Sequence, residues 1–306
     1  MNVQGRDCCI TLKTQYREMG LPYAEETIRE AVSLLKEQAA IEGDGICGGI
    51  RKPCGVTGCV VTPLSIETAP LLFVLALGRS GLPVYVSGTH NLYRHSVNLL
   101  TMEGGLVFDL IQDRGQLRTL YEGCRVQSFE LRIMRDEALK LRLDIAGDNP
   151  PVSYSYPDSP AVYGSERTFC ELFKEDGVVY RINGVEQKKI YGLTISTRKA
   201  GGTQTEVRIH RVLDISGELP QVIETLEISA QLFQRGTSPD GLGGVFRDNY
   251  EEHSYGAFRL TLSRLVLMAD ETIINSGDAV IGPLRYYAMG GMSADVYSTN
   301  DIPVIC

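Results

Sequence analysis

The chain has 306 residues, 43% apolar and 22% charged, with a formal net charge of −8. That length allows one large or two ordinary domains with a sizeable core, and the composition is that of a folded globular chain rather than a disordered one. The acidic balance argues against a grip on nucleic acid built from Lys and Arg, but not against a surface that nucleic acid passes without sticking.

The first twenty residues lack the apolar core of a signal peptide, and the longest apolar run, Leu71–Leu77, is far short of a membrane span. The eight cysteines (Cys8, Cys9, Cys47, Cys54, Cys59, Cys124, Cys170 and Cys306) are therefore expected as reduced thiols. Cys124, beside a strand, is expected as a small buried hydrophobe.

Residues 1–20 show no period and read as an arm. Pro22 to Glu42 carries a helical signal: Ile28, Val32, Leu35 and Ala39 share one face, and Glu25 and Glu26 suit a first turn. The glycine-rich GDGICGGIRKPCGVTGC that follows reads as a loop or irregular extended segment. Ser65 can cap a short helix, Pro70 is tolerated only near its start, and Gly78 ends it after Leu71–Leu77. Leu82–Val86 and Leu106–Ile111 read as strands, separated by a mixed stretch from His90 to Gly105.

The stretch Gly123–Gly147 is the strongest signal in the chain. Phe129, Leu131, Ile133, Leu139, Leu141, Leu143 and Ile145 alternate with Glu130, Arg132, Lys140, Arg142 and Asp144. A strict period of two places the first set in a core and the second on a polar face of a β-hairpin turning at Met134–Ala138. A register of Phe129 on Leu143 sets Glu130 opposite Arg142, which helps, and Arg132 opposite Lys140, which does not. Ordering about twenty residues costs more than burying these side chains returns, so the hairpin needs further strands, from its own chain or another.

Asp148–Pro160, with four prolines and three serines, reads as an extended linker. Beyond it, strands are expected at Val178–Ile182, Lys189–Ser196, Glu206–Ile215, Ile223–Phe233, Ala257–Met268, Ala279–Ile281 and Leu284–Met289, with a flexible loop at 236–250 and a polar tail. A faint repeat links LRLDIAGD (141–148) to RVLDISGE (211–218), and SFELRI to AFRLTL (257–262). The chain thus divides into an arm and loop (1–60), a first β domain (61–148), a linker (149–160) and a second β-rich domain (161–306).

No catalytic or metal-binding constellation emerges. Gly43, Gly45 and Gly48 fit G-x-G-x-x-G, but a helical pattern precedes them where a nucleotide fold needs a strand. Cys47, Cys54 and Cys59 lack zinc spacing and a nearby histidine, and His90 and His95 read as polar loop residues. The adjacent pairs Asp136–Glu137 and Glu251–Glu252 suit solvation, and Gly291–Asp295 misses the last glycine of a G-x-S-x-G elbow. Enzymatic activity, cofactor and metal are not expected.

The order of segments resembles the major tail tube proteins of long-tailed bacteriophages. It is carried by GGIRKP (48–53), LSIETAPLLFVLALG (64–78), His90-Asn91-Leu92-Tyr93, and Tyr121-Glu122-Gly123-Cys124-Arg125-Val126-Gln127-Ser128 leading into the hairpin. NGVEQKKIYGLTIS (183–196), GAFRLTLSRLVL (256–267) and VIGPLRYYAM (280–289) continue it. GLVFDLIQD (105–113) departs from the family pattern, and the loop at 236–250 looks like an insertion.

The resemblance implies a mainly β (α+β) fold, a tail-tube-type β-sandwich or barrel with a short flanking helix, with a tandem pair of such units as one arrangement. It implies an extended arm where the periodicity of 22–42 suggests a helix. The implied function is structural: a virion tail protein, assembled in the host cytoplasm, forming stacked rings around a conduit for DNA ejection. The hairpin named above would be the assembly element. Partners would be other copies, in trimeric pseudo-hexameric or hexameric rings, together with tape measure and terminator proteins. DNA would pass without specific binding, and no membrane is involved. A related tail component (terminator, hub or baseplate protein) and a β-rich binding protein are the alternatives.

Overall fold

Where apolar residues recur at every second position a chain forms strands, and this one does so almost throughout. The computed structural model describes residues 8–15, 18–21, 24–36, 49–65, 68–86, 93–99, 106–114, 118–153, 177–188, 190–198, 204–212, 219–233, 255–270 and 281–298. The loop expected at 236–250, most of the linker (154–160), the pair Glu251–Glu252, and Gly43, Gly45, Cys47, Gly48 and His90 lie outside them.

In chain order the strands are β1 (Cys8–Lys13), β2 (Glu18–Leu21), β3 (Glu25–Glu26), β4 (Arg29–Lys36) and β5 (Gly49–Pro63). The helix α1 (Ala69–Leu77) follows, then β6 (Gly78–Ser80), β7 (Val84–Tyr85), β8 (Tyr93–Leu99), β9 (Phe108–Arg114), β10 (Arg118–Met134), β11 (Lys140–Gly147) and β12 (Val152–Ser153). The rest are β13 (Val178–Ile182), β14 (Val185–Glu186), β15 (Ile190–Arg198), β16 (Gln204–Val212), β17 (Val222–Phe233), β18 (Tyr255–Asp270), β19 (Ile281–Ala288) and β20 (Met292–Ser298). The fold is mainly β, with one short helix among the described residues.

All pairings are antiparallel. The main run is β4–β5–β11–β10–β15–β16–β19–β18–β17. The first half of β18 also pairs with β20, and β20 with β8. A smaller ladder, β2–β1–β9, joins the first part of β10. β10 serves both ladders by bending at a bulge between Tyr121 and Cys124, where Gly123 sits at φ 71. Strands on either side of residues 149–160 lie in one sheet, through β10–β15 and β8–β20, and one hydrophobic core runs through both halves.

The helix begins at Ala69 with Pro70 in its first turn and ends at Gly78, at φ 102, whose N–H donates to the Val74 carbonyl. Ser65 helps to fix the turn before it, Oγ accepting from the Thr68 N–H at 3.2 Å, although Thr68 holds the cap position. All nine helical residues are buried, and Phe73 packs on Phe258 with ring centroids 5.3 Å apart. This is a core helix, apolar all round, not an amphipathic surface one.

Three expectations fail and a fourth is narrowed. Over 24–36, the described part of the helix expected at 22–42, the chain instead forms β3 and β4, with β4 laid along β5 from Arg29 on Thr57 to Lys36 on Gly49; an available sheet partner outweighs a weak local preference. Of the two readings of the glycine-rich segment, the described part, from Gly49, takes the extended one, as the regular strand β5. Its glycines permit close backbone approach: a Cβ on Gly55 would lie 2.0 Å from the Gly147 carbonyl oxygen, and one on Gly58 2.4 Å from that of Thr27. The mixed stretch contains β8, with His95 fully buried on it rather than in a polar loop. The tail contains β20, whose Met292, Ala294 and Val296 face the core.

Candidate functional site

The hairpin of β10 and β11 has the register its alternation dictates: Phe129 on Leu143, Glu130 on Arg142, Leu131 on Leu141 and Arg132 on Lys140. Phe129, Leu131, Ile133, Leu139, Leu141, Leu143 and Ile145 are all buried. Both outer edges of the hairpin are occupied within the chain, β10 by β15 over Ser128–Met134 and β11 by β5 over its whole length. The further strands it needs come from its own chain, and a ring-wide sheet would have to be completed at strands farther out.

On the other face the side chains form registered rows. One runs through Val61, Arg142, Glu130, Ser196, Glu206, Tyr287, Val266 and Val222, on eight successive strands. The next holds Pro63, Lys140, Arg132, Thr194, Arg208 and Arg285. Four cations therefore share one row across five strands. A depression of about 290 Å³ opens on this face, lined in part by Glu130, Ser196, Arg198, Glu206 and Tyr287.

The turn resolves the unfavourable Arg132–Lys140 pairing. Glu137 lies 2.9 Å from Lys140 Nζ and 3.6 Å from Arg132, and the Lys140 hydrogen bond, with both positive charges, holds its carboxyl below the ordinary range. Arg142 turns to its own strand, Nε donating to Asp144 Oδ1 at 3.0 Å, and this bond raises its pKa. Asp144 also accepts from Ser128 Oγ. Glu130 Oε2 accepts from Ser196 Oγ at 3.3 Å, and Arg208 Nε donates to Glu206 Oε1 at 2.8 Å. His210, beside the cationic row, is held below its ordinary pKa by burial first, then by Arg208 and Arg132.

The five polar-face residues expected from the sequence, Glu130, Arg132, Lys140, Arg142 and Asp144, thus lie together, half-exposed, on one surface. Sequence reasoning missed that Ser196, Arg198, Glu206, Arg208, Arg285 and Tyr287 extend it. The signal was present: LTISTR and TEVRIHR alternate as cleanly as the hairpin does. What it lacked was the pairing of β15 with β10, which no local pattern encodes.

Among the described residues no three His, Cys, Asp or Glu side chains are placed to hold a metal ion. Cys124 is fully buried, and burial first, then the Asp109 charge, pushes its thiol up to about 12. Cys59 is buried and Cys54 exposed. No known protein family and no curated protein matches the chain.

Proposed function

We propose that the chain is a structural subunit of a long-tailed bacteriophage tail, self-assembling into stacked rings that form the tail tube, a conduit for DNA. The observation that carries the reading is the layout around the hairpin: one side of an extended antiparallel sheet is packed into a core, and the other is an ordered charged surface. A sheet of that kind, in a chain whose segment order resembles the tube proteins, is laid out as a scaffold rather than as a pocket for chemistry. Because the edges of β10 and β11 are filled internally, subunit contacts in such rings fall on outer strands and on the polar face.

Negative-stain microscopy of the purified chain at increasing concentration tests this. Rings that stack into tubes are expected. A monomer that persists at high concentration refutes the reading, and a single ring that never stacks assigns the chain to the terminator class instead.

A further inference from the structure

We propose that the polar face of the β11–β10–β15–β16–β19 sheet is a subunit contact that receives an acidic surface of a second copy of this chain, and that it does not line the DNA path. The inference rests on the assembly reading above and specifies which surface serves it.

Charge is the first argument. The face carries seven cations, Arg125, Arg132, Lys140, Arg142, Arg198, Arg208 and Arg285, against Glu130, Asp144, Glu206 and the turn residue Glu137, a net of +3. The whole chain carries −8, so the remainder carries −11. In a homopolymer the surface opposite this face belongs to the same acidic chain, and attraction between the two is built in. The second half of the sheet adds Arg198, Arg208 and Arg285 against Glu206 alone, so it strengthens the basic character of the hairpin face instead of offsetting it. A conduit for phosphates would hold its cargo on such a row.

Composition is the second argument. Arginine supplies six of the seven cations. The same face grades into an apolar end where Val222 and Met268 are about half-exposed beside Val266 and Tyr287. Arg, Tyr and Met next to an apolar patch are the residues enriched in protein contacts. Carboxylates also hold Arg132, Lys140, Arg142 and Arg208 in place, and those would confront phosphates. Size agrees: five strands at about 4.8 Å by four side-chain rows at about 6.8 Å give roughly 650 Å², near the roughly 800 Å² each partner buries in a standard interface.

The test compares the wild-type chain, the double variant Arg132→Glu/Arg208→Glu, and Arg94→Glu, an exposed change on β8 away from the face. Sedimentation and negative stain are read from about 50 to 500 mM salt, with melting curves confirming that all three are folded. Wild-type assembly should weaken with salt, the double variant should need at least about tenfold more protein to assemble, and Arg94→Glu should behave as wild type. Tubes from the double variant at wild-type concentration overturn the contact while leaving the tube reading intact. Salt-sensitive dimers that never form rings, and that the double variant loses, uphold the contact and refute the tube. Retention of a labelled DNA duplex by wild type, lost in the double variant, overturns the proposal in favour of nucleic acid.

Discussion

Replacing Gly55 by alanine tests whether the glycine-rich segment is a packed strand. An ideal Cβ there lies 2.0 Å from the Gly147 carbonyl oxygen and 3.2 Å from the Asp148 Cα, and the residue sits at φ 148, where a side chain is strained. An ordinary carbon–oxygen contact needs about 3.2 Å, so one backbone must move by roughly 1 Å. Both are strand backbone, since Gly147 pairs with Val56 at the end of the β5–β11 ladder. Peeling back two ladder hydrogen bonds costs about 1 kcal/mol each, and the strained conformation adds about 1–3 kcal/mol. Gly55→Ala should therefore lose about 3–5 kcal/mol in urea denaturation followed by far-UV circular dichroism. Gly20→Ala is the control, because a Cβ on Gly20 meets nothing within 4 Å. Equal midpoints for the two variants would refute the close approach and return residues 49–59 to a loop.

Two further outcomes follow from buried groups. Cys124, fully buried with its thiol pushed up to about 12, should resist maleimide in the native chain at pH 8, whereas exposed Cys54 should react within minutes; mass spectrometry of the labelled peptides separates them. His210 is held below its ordinary value of 6.5, so the unfolded chain takes up that proton first. Its contribution to stability is whole above about pH 6.5 and is lost as the pH falls towards the depressed folded value. Wild type should lose more melting temperature than His210→Gln between about pH 7 and pH 5, and parallel profiles would contradict the assignment.

The central hairpin was legible down to its register because two constraints agreed: a strict period of two, and a turn that allows one pairing. The helix was legible because Pro70 and Gly78 bracket an apolar run. β4 was not, since Ile28, Val32 and Leu35 fit a helix face, and the edge of β5 that decides otherwise comes later in the chain. β5 was left undecided because glycine marks both a turn and a close approach, and only the neighbours at Gly147 and Thr27 tell them apart. β20 was passed over although Met292, Ala294 and Val296 alternate, since its polar partners dilute a short apolar set. The surface opposite the core was half legible: the hairpin supplied its first two strands, and the remaining three belong to pairings that cross the chain.

Those crossings have a consequence in time. β10 ends at Met134, and the strand that covers its free edge, β15, begins 56 positions later at Ile190. At about 5–20 residues per second, a nascent chain presents Phe129, Leu131 and Ile133 on a bare edge for roughly 3–11 s before that partner leaves the ribosome. β8 waits longer still, because Ser96 meets Asp295 across 199 residues. Crowded ribosomes translating this message would hold many such edges close together. Slower initiation or a cooler host should therefore raise the soluble yield of the chain without any change in its final stability.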